Sequence, residues 1–302
     1  MENKTIEASL ARVGKLVDDN LQLLPDGMPL FNWVEVSPVE MCNRKCVFCP
    51  KADRERFPNQ PLEIGPVLIR RMTDDLAALD YKGTVVLAGY GEPMMHHSIY
   101  SLAGAFSTVA RVEVVTDGDY LTVANIERLL QCGVSMILVS MYDGPEQVEG
   151  FTLMFEAARA PANKFMLRDR WYGENRNYGV KLTNRAGVVR IGNQPPVDAS
   201  RPCYYPHYSM MVDWNGDCLL CTQDWNRRVK FGNLSTQSMV EVWSSPALRK
   251  YRQDLRNNRR CAAPCSGCNA DGTLHGRNHA MAWEAYYATR ERDGRRGEGS
   301  AA

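Results

Sequence analysis

Apolar and polar positions along this chain fall into two alternating patterns. Short β-branched runs bounded by glycine, such as Gly83-Thr84-Val85-Val86-Leu87-Ala88, predict buried strands; Val67, Leu68, Ile69, Met72, Leu76 and Leu79 recur at helical spacing between them. A first helix is expected from Lys4 to Leu24 (Ile6, Leu10, Val13, Leu16, Val17) on the outside of the fold, closed by the turn Pro25-Asp26-Gly27. A strand near Trp33 to Ser37 follows. Helix Ser98 to Ala110 then leads to strand Val112 to Val115, and a helix capped by Thr122 and stopped by Gly133 leads to strand Ser135 to Met141. Helix Glu146 to Ala158 precedes a fifth strand, Phe165 to Trp171, that turns charged at its end, and Lys181 to Arg185 is the candidate sixth. Alternation of this kind predicts an α/β fold, either a parallel βα-barrel or a doubly wound sheet.

Beyond Pro195-Pro196 the grammar changes, which marks a boundary and a hinge near residue 195. Met210 to Cys221 carries a hairpin signal around Asn215-Gly216, in a register that sets Cys218 across from Asp213 and Cys221 across from Met210. A regular strand would point those two thiols to opposite faces. A last helix is expected over His279 to Arg290, with Trp283, Tyr286 and Tyr287 on its packing side and Gly294 to Ala302 frayed.

Charge narrows the classes. With 36 Lys and Arg against 35 Asp and Glu in 302 residues, nothing points to nucleic acid. Met1 to Asp19 has no unbroken apolar run, so neither a signal peptide nor a membrane span is expected there, and a cytoplasmic protein is. The ten cysteines fall into Cys42, Cys46 and Cys49, then Cys132 alone, then Cys203, Cys218 and Cys221, then Cys261, Cys265 and Cys268. In a chain of this size without an export signal, such grouping points to two metal centres rather than to disulfides.

The early triplet hangs on the end of the first strand. A 4Fe-4S site takes one thiolate per iron, so a triplet leaves one iron open, and an open position is where a substrate or cofactor binds. A zinc knuckle completed by a distant residue is the plain alternative, although no histidine lies within this loop. The spacing Cys42-x3-Cys46-x2-Cys49, with Phe48 before the third cysteine, resembles the signature of the radical S-adenosylmethionine (radical SAM) enzymes. That resemblance implies a partial (β/α)6 TIM-like barrel, a cluster whose open iron binds S-adenosylmethionine, and cleavage of that cofactor to a 5′-deoxyadenosyl radical that abstracts hydrogen from substrate. Gly89-Tyr90-Gly91-Glu92-Pro93 is similar to the family's glycine-rich element that contacts the cofactor's amino group, which makes Gly89, Gly91, Glu92 and Pro93 cofactor candidates beside Phe48, the aromatic of the cysteine motif. Thr116-Asp117-Gly118 resembles the family's threonine-asparagine-glycine strand end, with Asp117 turning a donor into an acceptor. Thr116 and Ser140 join the cofactor candidates on the same resemblance; a capping or turn serine is the other reading of Ser140. Arg168, Arg170 and Arg185 are the substrate candidates, since guanidinium groups bind carboxylate or phosphate bidentately.

The later cysteines, with Gly232-Asn233-Leu234, Val242-Trp243 and Pro264-Cys265-Ser266-Gly267-Cys268, resemble the SPASM domain. The resemblance implies Cys203, Cys221, Cys265 and Cys268 around one auxiliary 4Fe-4S cluster, with Cys218 and Cys261 as extra ligands if there is a second. By spacing alone, Cys218-x2-Cys221 and Cys265-x2-Cys268 read as a zinc ribbon. Cys218 and Cys261 are otherwise candidate hydrogen-atom donors. The expected domains are residues 1–195 for the barrel with its N-terminal helix, 196–275 for SPASM and 276–302 for a C-terminal helix and tail.

The implied activity is hydrogen abstraction from a polar small molecule, sugar-like or aminocyclitol-like, ending in oxidation, with flavodoxin or ferredoxin as external electron donor. Radical epimerisation, peptide modification and a non-catalytic electron-transfer or sensor role remain open at this point.

Overall fold

The computed structural model describes residues 6–171, 182–190 and 194–299. Helix α1 (Ile6–Asp18) ends earlier than expected because side-chain amides satisfy its last carbonyls: Asn20 donates to Leu16 O at 2.9 Å and Asn32 to Val17 O at 2.7 Å. Next come β1 (Trp33–Val36), α2 (Pro66–Ala78), β2 (Thr84–Leu87), α3 (Ile99–Ser107), β3 (Arg111–Thr116), α4 (Val123–Gln131), β4 (Met136–Met141), α5 (Gln147–Ala157) and β5 (Phe165–Asp169). These follow the expected alternation closely. After them come α6 (Tyr205–Tyr208), β6 (Ser209–Val212), β7 (Asp217–Leu219), β8 (Lys230–Asn233), α7 (Met239–Trp243), α8 (Pro246–Arg256) and α9 (Arg277–Gly299), the last running beyond the point where fraying is expected.

All eight strands share one sheet in the order β5-β4-β3-β2-β1-β6-β7-β8, parallel from β5 to β6. The sixth parallel strand is therefore β6, paired with the free edge of β1 (Trp33↔Ser209 to Val36↔Val212), and not the expected Lys181 to Arg185. Of that segment Lys181 lies outside the described residues. Leu182 to Asn184 are irregular, and Arg185 and Ala186 take positive φ angles of 48° and 53° that end any extended run. Asn184 is tied instead to Asn269 and to Gly267 O. The segment near residue 195 thus connects two parts that share a single sheet.

The sheet curls. Glu35 on β1 and Arg168 on β5 act on each other electrostatically across four strand spacings, which in a flat sheet is about 19 Å. Val34, Val36, Val85, Leu87, Val114 and Val139 pack outward under the helices, while Glu35, Glu113, Ser140 and Arg168, at alternate positions, face the hollow. Helix α1 is not an outer helix: Arg12 pairs with both oxygens of the fully buried Glu113, one contact at 2.8 Å, and Arg111 Nε adds a third at 3.1 Å. A carboxylate buried in that hollow requires a cation, and Arg12 brings the helix with it.

The hairpin register also differs by one residue. Cys218 lies across from Val212, and Met211 from Leu219, because the loop holds three residues, Trp214-Asn215-Gly216, rather than two. Asp213 N still donates to Asp217 O at 2.9 Å, Gly216 N donates back to Asp213 O at 2.9 Å, and Gly216 takes the left-handed φ of +86° that such a loop needs at its last position. Strand β7 then stops at Leu219, so Cys218 stays in the main apolar core and Cys221 lies past the strand end. On the far side, Arg252 is sandwiched between Trp243 and Trp283 at 4.0 and 3.7 Å and holds α9 in place.

Candidate active site

The chain that leaves β1 carries the thiol triplet, and polar contacts fix it from every side. Arg44 reaches out of the loop to Asp119 after β3 (Nε to Oδ2, 2.7 Å) and to both oxygens of Asp143 after β4 (2.7 Å each). Asn43 donates to the same Asp119 at 2.6 Å. Glu40 ahead of the triplet pairs with buried Lys51 behind it at 3.3 Å and with Arg227 at 2.6 Å, which ties the loop to the hairpin module. Phe48 packs on the Tyr142 ring, with centroids 5.4 Å apart.

The strand-two loop lies directly on this chain. Glu92 N donates to Met41 O at 2.8 Å, and a Cβ on Gly91 would come within 2.1 Å of Val39 O, so only glycine permits the approach. Gly89, at φ +101°, lies against Ser37, whose hydroxyl accepts from Tyr90 N at 3.0 Å. Buried Glu92 accepts from Met94 N at 3.0 Å and from Asp117 N at 2.8 Å. Thr116 Oγ1 accepts from Gly118 N, and Asp117 does serve as an acceptor, from Asp119 N. The structure thus brings Phe48, Gly89, Gly91, Glu92, Pro93 and Thr116 to the rim that holds Cys42, Cys46 and Cys49.

Desolvation dominates the thiols. Burial pushes Cys42 up to about 11 and Cys46 to about 12, with the neighbouring thiols adding to the shift, and Cys49 rises for the same first reason. A cationic metal centre is what such a group of desolvated sulfurs suits. Burial and the nearby Asp117 also raise the Glu92 carboxyl to about 8. The unfolded chain ionises this group near its ordinary 4.5 while the fold keeps it protonated, so it lowers stability as pH rises from about 4.5 to about 8. Glu92→Gln is expected to flatten that part of the pH dependence, read as urea midpoints at pH 6, 7 and 8. Parallel slopes for the two proteins would sink this account.

Ser140 and Arg168 meet across β4 and β5, the guanidinium donating to the hydroxyl. The structure also brings the three substrate candidates together: Arg170 is acted on by Tyr142 and Arg185, and burial followed by Arg170 lowers Arg168 to about 10. Arg170 and Arg185 line a cavity of about 190 Å³ with Leu10, Phe48, Tyr205 and Gln223.

Cys203, Cys221, Cys265 and Cys268 line a second, adjacent cavity together with Leu255, Pro264 and Arg260. Burial raises all four thiols, and neighbouring thiols add to the rise of Cys203, to about 11, of Cys265, to about 12, and of Cys221. Four desolvated sulfurs around one void suit a fully ligated cluster. Neither Cys218, in the core, nor the exposed Cys261 belongs to this group.

A curved parallel sheet with a thiol triplet at its carboxyl end and a thiol quartet behind it defines an iron–sulfur α/β protein. Residues 36–160 match the radical SAM superfamily and residues 203–269 the SPASM iron-sulfur cluster-binding domain. The chain thus carries a radical SAM domain followed by a SPASM domain, and S-adenosylmethionine and 4Fe-4S clusters are the cofactors of these domains. It is 26% identical over 246 residues to the S-adenosyl-L-methionine-dependent 2-deoxy-scyllo-inosamine dehydrogenase of Niallia circulans, a match that covers 80% of this chain and 93% of the relative. The crystal structure of BtrN in complex with AdoMet and 2-DOIA superposes with a TM-score of 0.69 at 24% identity, covering 83% of this chain and 98% of that one. Native anSMEcpe with bound AdoMet gives 0.50 at 13% identity, over 85% and 96% of the two chains. Both structural matches bear on the fold alone. Among the described residues no helix is long and apolar enough to cross a membrane.

Sequence reasoning missed Arg12, Glu35, Glu113 and the clamp made by Arg44. The signal was there for the two glutamates: each is the polar position inside an otherwise apolar strand, which in a curled sheet marks the hollow.

Proposed function

We propose that this chain oxidises a hydroxyl-bearing carbon of a polyhydroxylated small molecule, of sugar or aminocyclitol type, to a carbonyl. The observation that carries the reading is an arrangement: Tyr205, Gln223 and Ala270 line both the arginine cavity and the four-thiol cavity, while Phe48 of the triplet loop closes the arginine cavity on another side. A substrate held there lies between the two thiol sets. Likeness to a dehydrogenase over most of the chain supports the same class.

In this reading Cys42, Cys46 and Cys49 hold the first cluster, and Cys203, Cys221, Cys265 and Cys268 hold the auxiliary one. Reductive cleavage of S-adenosylmethionine at the first supplies a 5′-deoxyadenosyl radical, and the second supplies an electron acceptor. Gly89, Gly91, Glu92, Pro93, Thr116 and Ser140 seat the cofactor, and Arg168 fixes the Ser140 hydroxyl. Leu10, Phe48 and Leu182 shield the cavity from water, while Arg170 and Arg185 orient the substrate. The oxidation removes one hydrogen atom from carbon, one proton from the hydroxyl and one electron. Epimerisation would need a thiol beside the substrate, and neither Cys218 nor Cys261 lines the cavity. A one-electron donor such as flavodoxin or ferredoxin completes the reading.

The test is a panel of sugars and cyclitols, including 2-deoxy-scyllo-inosamine and each carrying deuterium on one hydroxyl-bearing carbon, given to anaerobically reconstituted protein with S-adenosylmethionine and reductant. Deuterium should enter 5′-deoxyadenosine as a carbonyl product accumulates. An inverted, unoxidised product would replace this reading with epimerisation.

A further inference from the structure

Among the described residues, the charges that line the arginine cavity do not balance, and the imbalance bears on the substrate. Among the described lining residues the charged groups are Arg170, Arg185 and Asp271. Asp271 is already engaged: its Oδ1 lies 3.2 Å from Arg201 Nη2 and accepts from Thr273 N and Oγ1. Arg185 Nε is buried without an acceptor, and so is Nε of Arg168 just behind. Glu35 also faces this group, but burial holds its carboxyl towards the neutral form and Thr222 hydrogen-bonds it.

Counter-charge for metal-bound thiolates is one explanation of the arginines. It applies to Arg185, which acts on Cys49 and Cys268. It does not apply to Arg170, whose electrostatic neighbours are Tyr142, Arg185 and Asp169, with no cysteine among them. Two guanidinium groups converging on one cavity form a fork for a planar or tetrahedral anion, and they repel an ammonium.

We propose that the substrate carries an anionic group, a carboxylate or a phosphate, seated on Arg170 with Arg185 beside it. This rests on the reading of the cavity as the substrate site. A cyclitol or sugar whose only charge is an amine, such as the inosamine named for the relative, is then not the preferred ligand here.

Equilibrium titration of the anaerobically reconstituted protein with S-adenosylmethionine present separates the cases, using D-glucuronate, myo-inositol 1-phosphate, neutral myo-inositol and 2-deoxy-scyllo-inosamine as probes. One of the two anions should bind at least about tenfold more tightly than the neutral and amino compounds, and which of the two does so distinguishes carboxylate from phosphate. Arg170→Gln should bring that preference to within about threefold, and Arg170→Glu should turn it towards the amine. Arg170→Lys, which keeps the charge and loses the fork, should keep the preference in weakened form. Iron content and far-ultraviolet circular dichroism confirm that each variant is loaded and folded. Equal binding of all four compounds, tighter binding of the amine, or a preference that survives Arg170→Gln overturns the proposal. Turnover in the same samples keeps the two ideas apart. An anion that binds tightly but loses no hydrogen to 5′-deoxyadenosine counts against the dehydrogenase reading alone, and oxidation of 2-deoxy-scyllo-inosamine without any anion preference counts against the anion seat alone.

Discussion

Replacing Cys42, Cys46 and Cys49 together with alanine is expected to lower iron from about eight to about four per chain and to reduce S-adenosylmethionine cleavage by at least about a thousandfold. The fold should survive, because the loop is held by charged contacts that do not involve sulfur. Arg44 clamps it to Asp119 and Asp143, Glu40 joins Lys51 to Arg227, and Glu92 N bonds Met41 O next to the first cysteine. With the loop held in this way, the thiols are free to serve as ligands, and the variant should lose metal without losing the protein. Iron and sulfide analysis with electron paramagnetic resonance on anaerobically reconstituted samples checks this. Wild type should show a signal that changes on adding S-adenosylmethionine, and the triple variant should not. Retention of about eight irons, or of the cofactor-sensitive signal, would remove the triplet from the reaction.

Much of this was legible in the residues because the informative signals were local. The strand and helix sequence from β1 to β5 follows from periodicity, and the triplet stands out by spacing. Contacts that depend on curvature were not legible. Arg12 reads as one polar position on an amphipathic helix, and only the curled sheet brings it onto Glu113, 101 residues later. Lys181 to Arg185 reads as the sixth parallel strand because it comes next in sequence, whereas β1 has two edges and β6 reaches the second from beyond the prolines. Asn215-Gly216 reads as a two-residue turn, but the same glycine also serves as the left-handed last residue of a three-residue loop, Trp214-Asn215-Gly216, which is the form found and which moves the register by one. The arginines of the cavity were individually visible as a charged strand end. Their convergence is a tertiary contact, Arg185 acting on Arg170 from another segment, and no local pattern contains it.

That register decides the last expected result, which sets Cys203→Ala against Cys218→Ala. Spacing alone pairs Cys218 and Cys221 with Cys265 and Cys268 as a zinc ribbon. In the fold, Cys218 lies on β7 among Met210, Val212 and Leu234, its thiol driven far up by burial, and the strand ends before Cys221. The fourth thiol around the adjacent cavity is Cys203, held where its backbone N–H donates to Leu255 O at 2.9 Å. Cys203→Ala is therefore expected to take iron from about eight to about four while S-adenosylmethionine cleavage continues, now uncoupled from carbonyl product. Cys218→Ala should keep about eight irons and full coupling, and lose only about 1–2 kcal/mol of stability to the small void left in the core. The reverse outcome, with iron or zinc lost from Cys218→Ala and Cys203→Ala unaffected, would place a ribbon there and remove the electron acceptor on which oxidation depends. Loss of metal in both would mean that the core around β7 and the thiol cavity unfold together. Denaturation midpoints read on the same two samples tell that case from the loss of a single ligand.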